Sequence, residues 1–193
     1  DDTLVYTKEG WKTHGTLEVG DEVLGLDDWT TVIGVSPPGL ATHWVVTNAG
    51  TRILAHKNHE WTVFEYVSHD PEQAAKRGSR RTYCERTVET RALIDYKAAK
   101  GHLMSGSART MRRFYLPIAN SLQKLSFAEL KSMSNRRRPP NGGRLAIDDV
   151  YEADVPQPGR CIQVSALDGI YLVTRDFVPT HNSELASIRF PAW

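Results

Sequence analysis

The sequence is poor in cysteine, in long apolar runs and in net charge, and each shortage excludes a class of protein. Only Cys84 and Cys161 occur, so no disulfide framework holds the fold together, and two thiols fit a reducing compartment. No run approaches the roughly 20 apolar residues of a membrane span. Asp1-Asp2 is the wrong chemistry for the start of a secretory signal. The net charge is +1, so the overall charge does not indicate a class of binding partner. We expect a cytoplasmic protein.

Short β-rich runs separated by turn residues fill residues 1–65 and the last third of the chain. The Asn48-Ala49-Gly50 turn joins two such runs, residues 43–47 and 51–54, and predicts a hairpin. Later runs at 145–155, 161–164 and 171–174 predict further strands. This regular short spacing favours an all-β domain.

The middle of the chain has a different character. Residues 69–83 are polar and predict a loop or a short helix, and residues 92–99 and 122–133 have helical spacing, with Ser126 as an N-cap. Residues 135–143 have the composition of a linker. The run Arg136-Arg137-Arg138 within it could contact phosphate, but no aromatic or helical reading element accompanies it, which favours a solvated loop.

The tripeptide His181-Asn182-Ser183 can carry chemistry of its own. An asparagine amide can attack its own main-chain carbonyl, close a succinimide and cleave the bond to the next residue. His181 is placed for the acid–base work, and the Ser183 hydroxyl could accept an acyl group. Taken alone, the three residues favour a polar turn with Asn182 or Ser183 as a helix cap.

The cysteines and the other histidines are equally open when each is considered alone. Cys161 follows Pro158-Gly159-Arg160 and could be a nucleophile or a small buried hydrophobe, whereas nothing around Cys84 indicates a role. His56 and His59 could bind metal, but no cysteine or carboxylate cluster completes a site. His59 could instead polarise a peptide bond, or be an ordinary histidine at a strand end.

In order and spacing, these signals resemble one family, the inteins, whose horseshoe-shaped fold is shared with hedgehog autoprocessing domains. Residues 2–5 and 20–24 resemble the first splicing block, and residues 50–59 resemble the second. There His59 matches the histidine of the usual Thr-x-x-His pattern, and His56 replaces the threonine. Residues 161–172 resemble the penultimate block and residues 177–183 the final one. The resemblance implies this hedgehog/intein (HINT) fold.

Within that family the chain resembles class 3, which carries a Trp–Cys–Thr signature, because Trp61, Cys161 and Thr180 stand at the corresponding places. The resemblance implies that Cys161 attacks the upstream splice bond and forms a branched thioester. The acyl group then passes to Ser183, and cyclisation of Asn182 releases the intein.

The same resemblance assigns the supporting roles. His59 would activate the upstream peptide bond, Trp61 and Thr180 would shape that pocket, and His181 would assist Asn182. No cofactor and no metal are implied, since each step exchanges one acyl linkage for another. The chain departs from the family at Gly169-Ile170, where the penultimate block often has a histidine before its aromatic residue.

The predicted organisation is a splicing domain over residues 1–182, followed by a C-extein fragment over 183–193. The roughly 20 to 30 residues after Leu116-Pro117-Ile118 are too few for the endonuclease of larger inteins, so we predict a linker over 121–144. Residues 183–193 resemble the helix that follows the phosphate loop of phage terminase large subunits. We therefore expect insertion in such a host, in the cytoplasm of a phage-infected bacterium.

Its partners would be its own flanking exteins, and we expect a monomer that acts once, with no membrane and no obligatory nucleic acid. Two other functions stay open on the sequence. A Cys/His hydrolase would turn over external substrates but leaves Asn182 unexplained. A non-catalytic β-rich module would bind nucleic acid in a salt-sensitive manner and would not be cleaved after Asn182.

Overall fold

A computed structural model of the chain describes residues 2–67, 82–105, 111–134 and 144–182. The first strands are β1 Leu4–Thr7, β2 Gly10–Thr13, β3 Glu22–Leu24, β4 Trp29–Val35, β5 Gly39–Thr47, β6 Arg52–Ala55 and β7 Glu60–Val67. The others are β8 Thr82–Glu89, β9 Met104–Ser105, β10 Met111–Arg112, β11 Phe114–Tyr115, β12 Ala146–Gly159, β13 Ile162–Val164, β14 Ile170–Val173 and β15 Val178–His181. Within these ranges the α-helices are α1 Thr90–Lys100 and α2 Phe127–Met133, and neither is long and apolar enough to cross a membrane.

Most of the strands form two antiparallel sheets. The first has the order β13-β4-β3-β1-β14-β15, with β2 also paired to β1. The second has the order β6-β5-β12-β11-β7-β8. Apolar side chains at alternate positions of both sheets form one core, which includes Val5, Val45, Val63, Ile147 and Ile162. Burying a side chain of this size contributes about 1.5–3 kcal/mol, so this shared core holds the two sheets together.

The step from one sheet to the other positions Cys161. Strand β12 belongs to the second sheet and ends at Gly159, whereas β13 belongs to the first and begins at Ile162. Arg160 and Cys161 therefore bridge the two sheets. The sequence predicted a strand that begins at Cys161, and this is wrong by one residue, because Cys161 lies in the bridging segment before β13.

The early and late parts of the chain meet in the first sheet. β1 pairs with β14 through Val5 and Val173, and β14 pairs with β15. In that last hairpin Tyr171 lies opposite Thr180, and Ile170 lies opposite His181. Residues near both ends of the described chain are thus brought side by side.

The predicted all-β fold with a loop and helical insertion is confirmed in its class. The predicted hairpin joins β5 and β6, and its turn residue Gly50 has a φ of +82°, a conformation that glycine adopts without strain. The predicted helix over residues 92–99 is α1. Ser126 caps α2 and forms a capping box with Glu129.

The first half of the predicted linker over residues 121–144 is helical. Residues Asn120–Lys124 form a 3₁₀-helix, and α2 follows. Leu122, Leu130 and Met133 are buried in a second apolar cluster with Leu24, Leu172 and Phe177. Their periodic apolar positions bury one face, so this half belongs to the core. Residues 135–143, including the arginine run at 136–138, lie outside the described residues.

The predicted loop or short helix over residues 69–83 is tested only at its end. Residues 82 and 83 belong to β8, which pairs with β7 along the whole length of both strands. The rest of the 69–83 segment lies outside the described residues.

Candidate functional site

A cavity of about 370 Å³ lies where the two sheets meet. Its walls include Cys161, His59, Thr180 and His181 among the predicted residues. These come from the segment before β13, the turn before β7, and strand β15. Residues more than one hundred positions apart in the sequence are therefore neighbours around one space, as hydrogen bonds between residues 59 and 180 also indicate.

His59 is held in place on two sides. Its Nε2 lies 2.8 Å from the Oγ1 of Thr180, and its ring packs edge-on against Trp61 with the ring centroids 4.8 Å apart. Burial of the ring, with smaller contributions from His181, His14 and His56, lowers the pKa of His59 from 6.5 to about 3. The imidazole is therefore neutral near pH 7. Its Nε2 can either donate a proton or accept one, depending on the tautomer of the ring.

Trp61 lies behind His59 and not in the wall of the cavity. Its side chain is 1% exposed, and its Nε1 donates to the Oγ1 of Thr90 at 3.0 Å. The amide nitrogen of Thr90 donates to the carbonyl oxygen of His59 at 2.9 Å, and its hydroxyl donates to the same oxygen at 3.2 Å. Trp61 and Thr90 therefore fix both the backbone and the ring of His59.

The backbone of Cys161 is fixed by Ser36. The Cys161 amide donates to the Oγ of Ser36 at 2.8 Å, and the Ser36 amide donates to the Cys161 carbonyl at 2.8 Å. Cys161 keeps part of its surface accessible at the cavity wall. Arg160, which precedes it, lines the same cavity. Cys84 lies on β8 and is not among the cavity residues.

Two residues of this cavity were missed by sequence reasoning. The Nε2 of His14 lies 2.8 Å from the hydroxyl of Tyr171, and both residues line the cavity. Burial lowers the pKa of His14 from 6.5 to about 4, so this ring is also neutral near pH 7. Burial and the nearby Cys161 both raise the pKa of Tyr171, which keeps its hydroxyl protonated. No local pattern marks His14, because only the tertiary fold brings it to Tyr171.

His181 and Asn182 lie at the end of β15. The Nδ1 of His181 is 2.6 Å from the main-chain oxygen of Asn182 and 3.6 Å from the Oε2 of Glu60. The amide of Asn182 donates to the carbonyl oxygen of Gly169 at 2.7 Å. His181 can therefore polarise the carbonyl that the Asn182 side chain would attack. Ser183 lies outside the described residues.

Within the described ranges, no group of three or more histidine, cysteine or acidic side chains is arranged to hold a metal ion. His56 is exposed at the rim, and its Nδ1 accepts a hydrogen bond from the amide of Asn58. The walls of the cavity thus offer a thiol, neutral imidazoles and hydroxyls, which are groups suited to acyl transfer.

No protein-family model matches the chain. Among curated proteins, it is similar to the replicative DNA helicase DnaB of Mycobacterium leprae (strain TN), with 27% identity over 189 residues, which is 95% of this chain and 24% of that protein. It is also similar to DnaB of Mycobacterium intracellulare, with 35% identity over 89 residues, which is 45% of this chain and 16% of that protein. The chain spans about a quarter or less of the length of these relatives.

The solved structures that it resembles are inteins. The MchDnaB-1 intein (N145AA) matches with a TM-score of 0.53 and 22% identity, over 94% of this chain and 97% of that one. The Msm DnaB1 intein splicing domain bound with zinc matches with a TM-score of 0.55 and 21% identity, over the same shares. The gp41-1 intein matches with a TM-score of 0.53 and 17% identity, over 94% of each chain. The predicted HINT fold is thereby confirmed.

Proposed function

We propose that this chain is an intein that excises itself and joins its flanks. The observation that carries the proposal is the single cavity that gathers Cys161, His59, Thr180 and His181. The likeness in fold to intein splicing domains supports it. The similarity over 95% of the chain to one DnaB protein also supports it, since two of the matched inteins are DnaB inteins. The element would act once, in one molecule, without a cofactor.

In the first step, the thiolate of Cys161 attacks the carbonyl carbon of the upstream splice bond. A carbon–sulfur bond forms, the peptide carbon–nitrogen bond breaks, and the departing amine takes up a proton. A branched thioester results. The fixed backbone of Cys161 supports this assignment, because a nucleophile must be held in place for its attack to replace a bimolecular encounter.

His59 and Thr180 would activate that upstream bond. Neutral His59 can donate to a peptide group or accept its proton, and Thr180 holds the ring at 2.8 Å. Trp61 acts on His59 from behind and is therefore a positioning residue. Cys161 and Thr180 in the cavity wall, with Trp61 packed behind His59, support the class 3 assignment, in which Cys161 takes the place of the first residue as nucleophile.

In the second step, the hydroxyl of Ser183 takes the acyl group from Cys161. The side-chain nitrogen of Asn182 then attacks the Asn182 carbonyl carbon, and the bond to Ser183 breaks. A proton passes from the attacking amide to the departing amine, which then converts the ester to a peptide bond. The Nδ1 of His181, 2.6 Å from the attacked carbonyl's oxygen, supports this step.

We also propose the boundaries and the surroundings of the element. Residues 1–182 would form the splicing domain and residues 183–193 the start of the C-extein. The resemblance of the 183–193 segment favours a phage terminase host, whereas the curated relatives are DnaB helicases. Sequencing the gene upstream tests the insertion site: a Gly-Lys pair at the end of the N-extein supports insertion in a phosphate loop, and any other ending contradicts it.

The proposed function is tested on a precursor that carries both flanks, by intact mass spectrometry over time. Wild type should yield ligated flanks and a free intein. Cys161→Ala should lose the branched species and the ligated product, and Asn182→Ala should retain the branched species and lose cleavage before residue 183.

Two outcomes would contradict parts of this proposal. If Cys161→Ala still joins the flanks, the class 3 mechanism is wrong, although splicing remains. If wild type never breaks the bond after Asn182 but turns over an added ester or peptide, the chain is a hydrolase and not an intein.

A further inference from the structure

We propose that Gly169 is a positioning residue for cyclisation of Asn182, because the Asn182 side chain occupies the space where any other residue would place its Cβ. The inference rests on the proposed splicing function and adds a residue to its last step. Gly169 and Ile170 occupy the place where the family that the chain resembles often has a histidine before its aromatic residue. In this chain Gly169 supplies room and not a side chain.

Gly169 and Asn182 touch through both backbone and side chain. The amide of Asn182 donates to the Gly169 carbonyl oxygen at 2.7 Å. A Cβ on Gly169 would lie 2.3 Å from the Oδ1 of Asn182, 2.9 Å from its Cγ and 3.2 Å from its Nδ2. The whole carboxamide therefore rests directly on the Gly169 backbone.

Gly169 is itself rigidly placed. Its φ is +63°, in the left-handed region that favours glycine, and its amide donates to the carbonyl oxygen of Ala166 at 3.0 Å. On its other side, the amide of Ile170 donates to the Oδ1 of Asp168 at 2.9 Å. The turn between β13 and β14 is thus a fixed surface against which the Asn182 amide is set.

A methyl group at residue 169 would displace Asn182 rather than the turn. The atoms that it would strike belong to the end of a side chain that turns about two bonds, whereas the turn is held by hydrogen bonds on both sides. Rotation of the carboxamide relieves the clash, at the cost of its contact with the Gly169 backbone, and leaves the turn in place. The rotation would change the position of the attacking nitrogen, and misplacement by about 1 Å can cost on the order of 100-fold in rate.

The test compares Gly169→Ala with Gly101→Ala in the precursor with both flanks. Gly101 has a similar φ of +76°, and a Cβ there would meet nothing within 4 Å, so the two variants carry similar backbone strain. We expect Gly169→Ala to slow cleavage after Asn182 on the order of 100-fold. The branched thioester, measured by its cleavage with hydroxylamine, should form as fast in Gly169→Ala as in Gly101→Ala.

A double-mutant cycle supplies a readout that does not depend on splicing. The melting temperature of Gly169→Ala should fall further than that of Gly101→Ala when Asn182 is present. In an Asn182→Ala background, where no carboxamide is left to strike, both glycine variants should lower the melting temperature equally.

The outcomes separate this inference from the proposed function. Equal cleavage rates for Gly169→Ala and Gly101→Ala would overturn the inference, and so would an equal loss of thioester formation and cleavage in Gly169→Ala. A cycle that shows no coupling between residues 169 and 182 would also overturn it. A wild-type precursor that never cleaves after Asn182 would instead refute splicing, whatever the cycle shows.

Discussion

At the scale of single residues, the cavity works through side chains that are held by others. Thr180 holds the ring of His59, Trp61 packs behind it, and Ser36 fixes the backbone of Cys161. His181 is set against the carbonyl of Asn182. Each group with proposed chemistry thus has a neighbour that restricts its orientation, as a site for intramolecular acyl transfer requires.

Replacing Thr180 with valine keeps the shape of the side chain and removes its hydroxyl. His59 then loses a hydrogen-bond partner 2.8 Å away, so we expect a loss of about 1–3 kcal/mol in the free energy of unfolding. Formation of the branched thioester should slow on the order of 100-fold, because the ring loses its orientation. Chemical denaturation and the rate of hydroxylamine release measure the two effects.

Thr47→Val is the matched control. Thr47 is also buried, and its hydroxyl accepts a hydrogen bond from Ala49 in the β5–β6 hairpin, outside the cavity wall. We expect it to cost stability without slowing thioester formation. If Thr180→Val forms the thioester as fast as Thr47→Val, the contact with His59 has no part in the first step.

At the scale of elements, the helical segment after β11 behaves as part of the fold. Helix α2 is too short to be stable alone, so its capping box and its buried face against the first sheet keep it in place. Sequence reasoning found the helix and its cap but assigned the segment to a linker. Helical periodicity shows which side of the helix is apolar, but it does not show that this side packs against β3 and β14.

Truncation of Leu130 to alanine tests whether this segment is core. Leu130 is 5% exposed, and removing its side chain should lower the free energy of unfolding by about 2–5 kcal/mol, through lost burial and the cavity left behind. Phe127 lies in the same helix but is 63% exposed, so Phe127→Ala should cost much less. Urea denaturation of both variants gives the comparison, and equal losses would mean that residues 121–134 are a dispensable linker.

At the scale of the whole molecule, the two sheets create a buried place that contains neutral histidines. His14 lies between β2 and β3 of the first sheet, and His59 lies just before β7 of the second. Both residues line the same cavity. Their pKa values, about 4 and about 3, lie below the ordinary 6.5 because of burial. A fall in pH should therefore lower the free energy of unfolding through these two rings.

The sign follows from proton binding. Between pH 6.5 and pH 4 the unfolded chain takes up protons on these histidines and the folded chain does not, so the free energy of unfolding falls as the pH falls. Above pH 6.5 both states are neutral and the effect is absent. For His14 alone we expect a loss on the order of 3 kcal/mol by pH 4.

Chemical denaturation at a series of pH values measures this loss. His14→Gln, which keeps a polar group near Tyr171, should flatten the dependence between pH 6.5 and pH 4. Thr47→Val should lower stability by a similar amount at every pH, since it removes no titrating group. A His14→Gln variant with the wild-type slope would show that His14 is not a source of the acid sensitivity.

The sequence by itself determined the class of the fold, the hairpin at Asn48-Ala49-Gly50, the helices and the candidate site residues. These depend on local spacing, on turn chemistry and on motif order, all of which are written along the chain. It also indicated His59, Thr180 and Cys161 as members of one site, although only through resemblance to a family.

The tertiary structure alone decided which groups meet. The pairing of β1 with β14 and the crossing from β12 to β13 bring the cavity walls together, and neither depends on local sequence. For the same reason, only the fold could place His14 against Tyr171 and the Asn182 amide against Gly169. Such contacts join residues far apart in the chain, and burial, hydrogen bonding and steric room exist only after folding.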